Sequence, residues 1–132
     1  MPKGYDEQMY WVDEWMPQIE VLAHPAVKAG ITHCGPGGAF EFIHCGVVPL
    51  CFPHYATEQK YVADALIERG AGLALIDTKL ADRQAEPENL YFPLPIFSSA
   101  DVAKKFGELL SVPAYSDNLM ALKCVATAAG GR

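Results

Sequence analysis

The apolar positions of this chain alternate with polar clusters in a pattern that predicts strands linked by helices. Short apolar runs predict buried strands at residues 31–33, 47–52 and 72–76. Helical spacing of apolar residues follows at 39–45 and again at 58–69. Strands that alternate with helices of this kind form parallel βαβ units, because each parallel crossover needs a long connection. The pattern therefore predicts an α/β fold, a partial Rossmann-like parallel sheet flanked by helices.

Proline, glycine and serine divide the remaining sequence. Residues 19–23 are predicted to form a short helical turn. Pro25 is predicted to begin the helix again, and it continues until Gly30 ends it. Gly46 is expected to cap the helix before it, and Ser98 or Ser99 to begin a C-terminal helix. We divide the chain into a lead-in at 1–14, a βαβ core at 15–76, an irregular proline-rich excursion at 77–97, and C-terminal helices at 98–132, near 100–110 and 116–129.

Composition narrows the classes of function. With 132 residues, of which 51% are hydrophobic, the chain can form one domain with a real core. A formal charge of −6 disfavours nucleic acid as a partner, so any phosphate must be held locally. The four cysteines lack regular spacing and predict reduced thiols. The sequence shows no signal segment and no apolar stretch that could span a membrane, and we expect a cytoplasmic location.

A glycine-rich turn follows the first predicted strand. Gly35, Gly37 and Gly38 let backbone approach a diphosphate closely, and the helix after them offers free N–H groups and a partial positive charge to an anion. The turn also lies at the carboxyl end of a strand, where parallel sheets place ligands. Taken alone, the same residues also fit a simple tight turn.

Polar side chains on either side of this turn are candidate ligand contacts. His33 could donate to a phosphate oxygen or be a satisfied histidine at a strand end. Glu41 could accept both hydroxyls of a ribose or merely compensate the helix dipole. Trp15 offers a flat face for a base and Gln18 a donor and acceptor for its edge, although a lone tryptophan is more often part of a core.

Two further features complete the candidates. Glu58 and Gln59 begin the second predicted helix and could bind sugar hydroxyls, or form a solvated helix start. A metal site is the competing interpretation of the histidines and cysteines, but their spacing lacks the C-x₂-C and H-x₃-H patterns, so we predict no metal. The residues considered for it are His24, His33, Cys34, His44, Cys45, Cys51 and His54.

Residues 15–76 resemble the second half of the nucleotide-binding domain of a family 1 UDP-glycosyltransferase of the GT-B fold. The resemblance rests on W-M-P-Q, V-L-A-H-P-A-V, I-T-H-C-G, Glu41, E-Q and L-I-E-R-G-A-G, with a weaker match at Tyr115 and the closing A-G-G. It implies a UDP-sugar site. In that site Trp15 would stack on uracil and Gln18 would contact the nucleoside. His33 would bind the diphosphate, to which Gly35 and Gly38 would bring backbone amides. Glu41 would bind ribose, and Glu58 with Gln59 would hold the sugar.

The resemblance implies a function as well. UDP-sugar would be the donor substrate, without a further cofactor, and its hexosyl group would pass to an acceptor hydroxyl. Family members carry the histidine base on an acceptor domain upstream, whereas fourteen residues precede Trp15 here. We therefore expect a fragment with no catalytic residue of its own and no activity alone. The alternatives are the donor subunit of a split glycosyltransferase, paired with an acceptor-binding domain or subunit, and a non-catalytic nucleotide-binding or interaction module.

The sequence departs from the family pattern at three places. Gly37 and Gly38 stand where many members have Asn, Ser or Thr, which leaves only backbone donors for phosphate. Pro49 is shifted by one residue from the usual G-x-P, and the loop from Pro53 to Glu58 is one residue longer. The changes in the loop bear on sugar selectivity.

Overall fold

A computed structural model describes residues 14–53, 57–76 and 97–130. Strands β1 (Ala29–Thr32), β2 (Val48–Cys51) and β3 (Leu73–Ala74) form a parallel sheet in the order β1-β2-β3. Helix α2 (Pro36–Cys45) connects the first two strands and α3 (Thr57–Glu68) the last two. The predicted Rossmann-like α/β architecture is confirmed. The other helices are α1 (Gln18–Leu22), α4 (Ser99–Ser111) and α5 (Pro113–Ala128).

The core forms around β2, whose residues are all buried. A strand covered on both faces is expected to be continuously apolar, and Val48, Leu50 and Cys51 meet that requirement. Helix α3 and the two C-terminal helices contribute buried side chains to the same hydrophobic core as the sheet. Their buried side chains are Ala63 and Leu66 of α3, Leu109 of α4 and Leu119 of α5.

Pro49 lies in the middle of this central strand, where a missing N–H normally breaks the ladder. The N–H of Val48 donates to the carbonyl of Lys28, on the β1 side of the strand. Because the backbone groups of successive residues point to opposite neighbouring strands, the nitrogen of Pro49 faces β3. Opposite it stands Gly72, where a Cβ would lie 2.8 Å from the carbonyl oxygen of Pro49. Pairing with β3 starts only at Leu73, so the strand predicted over 72–76 is shorter than expected.

The predicted restart of helix at Pro25 is wrong. The N–H of Ala26 donates to His24 Nδ1 at 3.2 Å, and the N–H of Val27 donates to the carbonyl of His24 at 2.9 Å. These bonds form a turn instead of a helix. Ala29 is already part of β1 and pairs with Val48, so sheet formation overrides the helical preference of the residues before Gly30.

Several helix ends follow the sequence closely. Gly46 adopts the left-handed conformation, with φ of 74°, and caps α2 through the carbonyls of Phe42 and Ile43, as predicted. Ser98 caps α4 in a reciprocal arrangement with Asp101. Helices α2 and α5 begin three residues earlier than the spacing suggested, because each accepts a proline in its first turn. Of the helices described, α5 is the longest at 16 residues, and none has the length and apolar character to cross a bilayer.

Candidate functional site

The candidate site lies where β1 and β2 end, an edge that we call the strand-end edge. Because these strands are parallel, their carboxyl ends meet on the same side of the sheet. Residues 33–35 lead from β1 into α2, and β2 is followed by α3, so both helices begin at this edge. Residues 54–56, and with them His54, lie outside the described part of the chain.

The chain leaves β1 through a left-handed step at Cys34, whose φ is 63°. A non-glycine residue in this conformation costs roughly 1–2 kcal/mol and must be held by its surroundings. Here the N–H of Cys34 donates to Thr32 Oγ1 at 3.1 Å, and its buried thiol donates to the carbonyl oxygen of Thr32 at 3.6 Å. Sequence reasoning missed this supporting role of Thr32. A threonine at the end of an apolar strand, directly before the turn, was the available signal.

Within the part of the chain that the structure describes, residues 35–38, the glycine turn, leave the start of α2 uncovered. The first backbone bond of the helix is donated by Ala39 to the carbonyl of Gly35, so the N–H groups of Gly37 and Gly38 precede the ladder. A Cβ at Gly37 would meet no atom within 4 Å, and one at Gly38 would lie 3.7 Å from Gln18 Nε2. The space in front of the helix can therefore admit an anion, with about half a positive charge from the helix dipole.

His33 is exposed and lies against this turn. A Cβ placed on Gly35 would stand 2.5 Å from His33 Nε2, so only glycine leaves room for the imidazole in this position. Both ring nitrogens can hydrogen-bond, and the ring therefore adds a further donor beside the free N–H groups of the helix.

An amide and a carboxylate meet beside the same turn. Gln18 Nε2 donates to Glu41 Oε2 at 2.7 Å, across 23 residues of sequence. Helix α1 packs against α2 to allow this, and the Cys45 thiol donates to the carbonyl of Ile19 at 3.7 Å. Burial raises the pKa of the Cys45 thiol, which favours the protonated donor. The structure thus brings Gln18, Glu41 and Gly38 together.

The remaining predicted residues are less tightly connected. Trp15 precedes α1 and is 76% exposed, so its indole is not part of the core. Glu58 is exposed in the first turn of α3 and Gln59 is half-buried beside it. Both lie at the strand-end edge by topology, and among the described residues no hydrogen bond joins Glu58 to α2. The structure therefore gives two groups, one on α1 and α2 and one on α3.

The thiols and imidazoles considered for a metal, as far as the structure describes them, do not assemble. Among the residues that the structure describes, no three His, Cys, Asp or Glu side chains lie close enough to hold an ion. All four cysteines are free thiols. Cys34 and Cys51 lie fully buried in the core, and a hydrogen bond with Cys34, together with burial, raises the pKa of Cys51 far above its ordinary value. Cys51 is therefore a structural thiol.

The parallel sheet, with helices that begin at the ends of its strands, defines a Rossmann-like α/β domain. The family model described as UDP-glucoronosyl and UDP-glucosyl transferase matches residues 2–127. The chain belongs to this family. The resemblance stated from the sequence is thereby confirmed.

Relatives from plants and animals share this similarity. The chain is 35% identical to UDP-glycosyltransferase 84A3 of Arabidopsis thaliana over 96 residues, which are 68% of this chain and 19% of the relative. It is 31% identical to UDP-glucuronosyltransferase 2B33 of Macaca mulatta over 120 residues, 90% of this chain and 18% of the relative. A third, anthocyanidin 3-O-glucosyltransferase 2 of Manihot esculenta, is 33% identical over 78 residues, 57% of this chain and 22% of the relative. The chain thus spans about a fifth of the length of these relatives.

Proposed function

We propose that this chain is the donor-binding part of a UDP-glycosyltransferase, which holds a UDP-sugar while its hexosyl group passes to an acceptor hydroxyl. The observation that carries the proposal is the contact of Gln18 with Glu41 beside an uncovered helix start, in a member of this family. An amide, a carboxylate and an anion-binding helix end are the groups that a nucleoside diphosphate requires, in adjacent positions.

The order of the groups supports a defined orientation of the donor. The diphosphate would lie at the start of α2, against the N–H groups of Gly37 and Gly38 and the imidazole of His33. The ribose would reach Glu41, one turn further along the same helix, and the uracil would stack on the exposed indole of Trp15. Glu58 and Gln59, at the start of α3, would face the sugar.

Donor binding would exchange one hydrogen bond for several. In the structure, Glu41 Oε2 accepts a hydrogen bond from Gln18 Nε2 at 2.7 Å. A carboxylate accepts more than one hydrogen bond, so Glu41 can bind ribose hydroxyls while Gln18 turns its amide to the nucleoside. The existing bond keeps both side chains at the mouth of the site, which reduces the entropy lost when the donor is fixed.

The chemistry that these residues would contribute is electrostatic. As the bond to the sugar breaks, negative charge grows on the diphosphate, and the fixed N–H groups with the positive end of α2 would stabilise it. None of the residues assigned to the donor would remove the proton of the acceptor hydroxyl. That base, and the binding of the acceptor, must come from elsewhere, so we expect no transferase activity from this chain alone.

Isothermal titration calorimetry with UDP tests the proposal. Trp15→Ala should weaken UDP binding about tenfold, since base stacking contributes roughly 1–3 kcal/mol. Glu41→Ala should weaken it by a similar factor because it removes a charge-assisted acceptor. Tyr61→Ala and Glu68→Ala are matched controls, an exposed aromatic and an exposed carboxylate on α3, and should leave the affinity unchanged. Absence of UDP binding to the parent chain, or equal losses in the controls, would contradict the proposed site.

A split enzyme is a second candidate, favoured by the edge of the sheet. Among the described residues β1 pairs only with β2, and Ile31 on that strand is 48% exposed. An open strand edge is a ready surface for pairing with another chain. Light scattering with a candidate acceptor-domain protein should then give a defined heterocomplex that transfers sugar. A complex without transfer, formed by a chain that still binds UDP, would indicate a non-catalytic module.

A further inference from the structure

A cavity lies beside α2, on a flank of the helix that does not carry Glu41. Successive residues of a helix are about 100° apart, so Phe40 and Ile43 project from other sides of α2 than Glu41, which contacts Gln18. The cavity has a volume of about 230 Å³ and lies between α2, α3 and α5. We call it the α2–α3 cavity. The side chains that define it are Phe40, Ile43, Val62, Ala65, Arg69 and Leu122.

The walls of the α2–α3 cavity are almost entirely apolar, and small residues keep it open. Ala65 leaves a gap on α3 where a larger aliphatic side chain would close the space. Phe40 does not fold inward to fill the cavity, since its side chain is 65% exposed at the mouth. A dry apolar cavity of about 150 Å³ is large enough to bind benzene. The α2–α3 cavity is open to solvent on one side and larger in volume, so it has room for one aromatic ring with a short chain.

Arg69 places a positive charge on the rim of this apolar space. Its Nη1 donates to the carbonyl of Ala65 at 3.0 Å, which fixes the guanidinium beside the cavity and leaves its other N–H groups available. Among the residues that the structure describes, no carboxylate pairs with it. A guanidinium that lacks a counter-ion and borders an apolar pocket is complementary to a ligand with an apolar body and a carboxylate end.

We propose that the α2–α3 cavity binds a small monocarboxylate whose body is a single aromatic ring. The ring would lie between α2 and α3 on Leu122, against the exposed face of Phe40, and the carboxylate would meet Arg69. Pro36 of the glycine turn also lines the cavity, so the cavity adjoins the strand-end edge. It lies on another flank of α2 than Glu41, and the proposal does not rest on UDP binding.

Nuclear magnetic resonance titration of the whole chain with 3-phenylpropionate tests the proposal. A ligand of this size should bind with a Kd on the order of 1 mM and shift amide signals on the facing sides of α2 and α3. The neutral analogue 3-phenylpropanol should bind about fivefold more weakly, because an exposed charge pair contributes up to about 1 kcal/mol. UDP should not compete, which separates this result from the test of the donor site.

Two variants and one control make the result specific. Ala65→Leu fills the cavity and should abolish the shifts while thermal unfolding shows a folded chain. Arg69→Met keeps the apolar stem, so it should weaken the carboxylate about fivefold and leave the alcohol unchanged. Lys104→Met, on the exposed side of α4, should change neither. Three results would each overturn the proposal. The first is the absence of shifts at about 10 mM ligand, tenfold above the expected Kd. The others are equal binding of acid and alcohol, and unchanged binding to the Ala65→Leu variant.

Discussion

The Gly37→Ala substitution tests the proposed anion site at the start of α2. It should change the stability of the chain and its affinity for UDP in opposite directions. Gly37 lies in the first turn of the helix, and a methyl group there would meet no atom within 4 Å, so alanine should fit the folded chain without strain. Gly→Ala replacements in helices stabilise by up to about 1 kcal/mol. For a domain of this size, that gain corresponds to an increase in Tm of roughly 2–5 °C.

The effect on ligand binding should have the opposite sign. Many family members have Asn, Ser or Thr at this position, and those side chains can themselves donate to a phosphate. The methyl group of alanine donates nothing, so if the diphosphate contacts the N–H of Gly37 the methyl group only takes up space beside that contact and moves the diphosphate away from it. The loss of one charge-assisted hydrogen bond is about 1.5–3 kcal/mol, so UDP should bind at least about tenfold more weakly. Calorimetry gives the Kd and circular dichroism gives the Tm of Gly37→Ala.

Gly107 supplies a matched control. It lies inside α4 and, like Gly37, has no atom within 4 Å of the added methyl. Gly107→Ala should raise the Tm and leave the Kd for UDP unchanged. If Gly37→Ala binds UDP as tightly as Gly107→Ala does, then the diphosphate is not held against the glycine turn, and the proposed orientation of the donor is refuted.

Two further predictions concern the cap of α4 and the thiols. Ser98→Ala removes the hydroxyl of the capping box and should lower the urea midpoint of unfolding. Hydrogen bonds from the Ser98 side chain and backbone lower the pKa of Asp101 below 3.8. The Asp101 carboxylate therefore contributes to the free energy of unfolding above pH 3.8, and this contribution is lost on further acidification. Urea titrations at several pH values should show that acid reduces the stability of Ser98→Ala less than that of the parent chain. A thiol-specific disulfide reagent should modify the exposed Cys124 in the native chain and reach the buried Cys34 and Cys51 only on unfolding. Reaction of all the thiols at one rate would refute that assignment.

The order of strands and helices could be predicted because it depends on local patterns. The apolar runs that became β1 and β2 and the amphipathic spacing of α3 each specify their own element. The prediction failed where a distant partner decides the conformation. Residues 26–29 have helical preferences, but Ala29 pairs with Val48, nineteen residues away, and this pairing sets the start of β1.

The candidate site could likewise be predicted where local sequence patterns determine it, but not where the packing of distant segments does. Sequence alone indicated that the glycine turn precedes a helix, and the structure has α2 beginning there. The bond between Gln18 and Glu41 depends on how α1 packs against α2, which no spacing of residues expresses. The left-handed step at Cys34 and the support it receives from Thr32 were also missed, because they arise from the turn geometry and not from a motif. The α2–α3 cavity is a property of packing alone.

The close approach of Gly72 to Pro49 limits how segments of this fold can be exchanged. A side chain at position 72 would collide with the Pro49 carbonyl at 2.8 Å, and the proline ring would lie only 3.0 Å away. The two positions therefore form one unit, although 22 intervening residues separate them. A chimera that takes its second strand from a relative with a different proline register must inherit the matching residue at 72 as well, or the third strand loses its place.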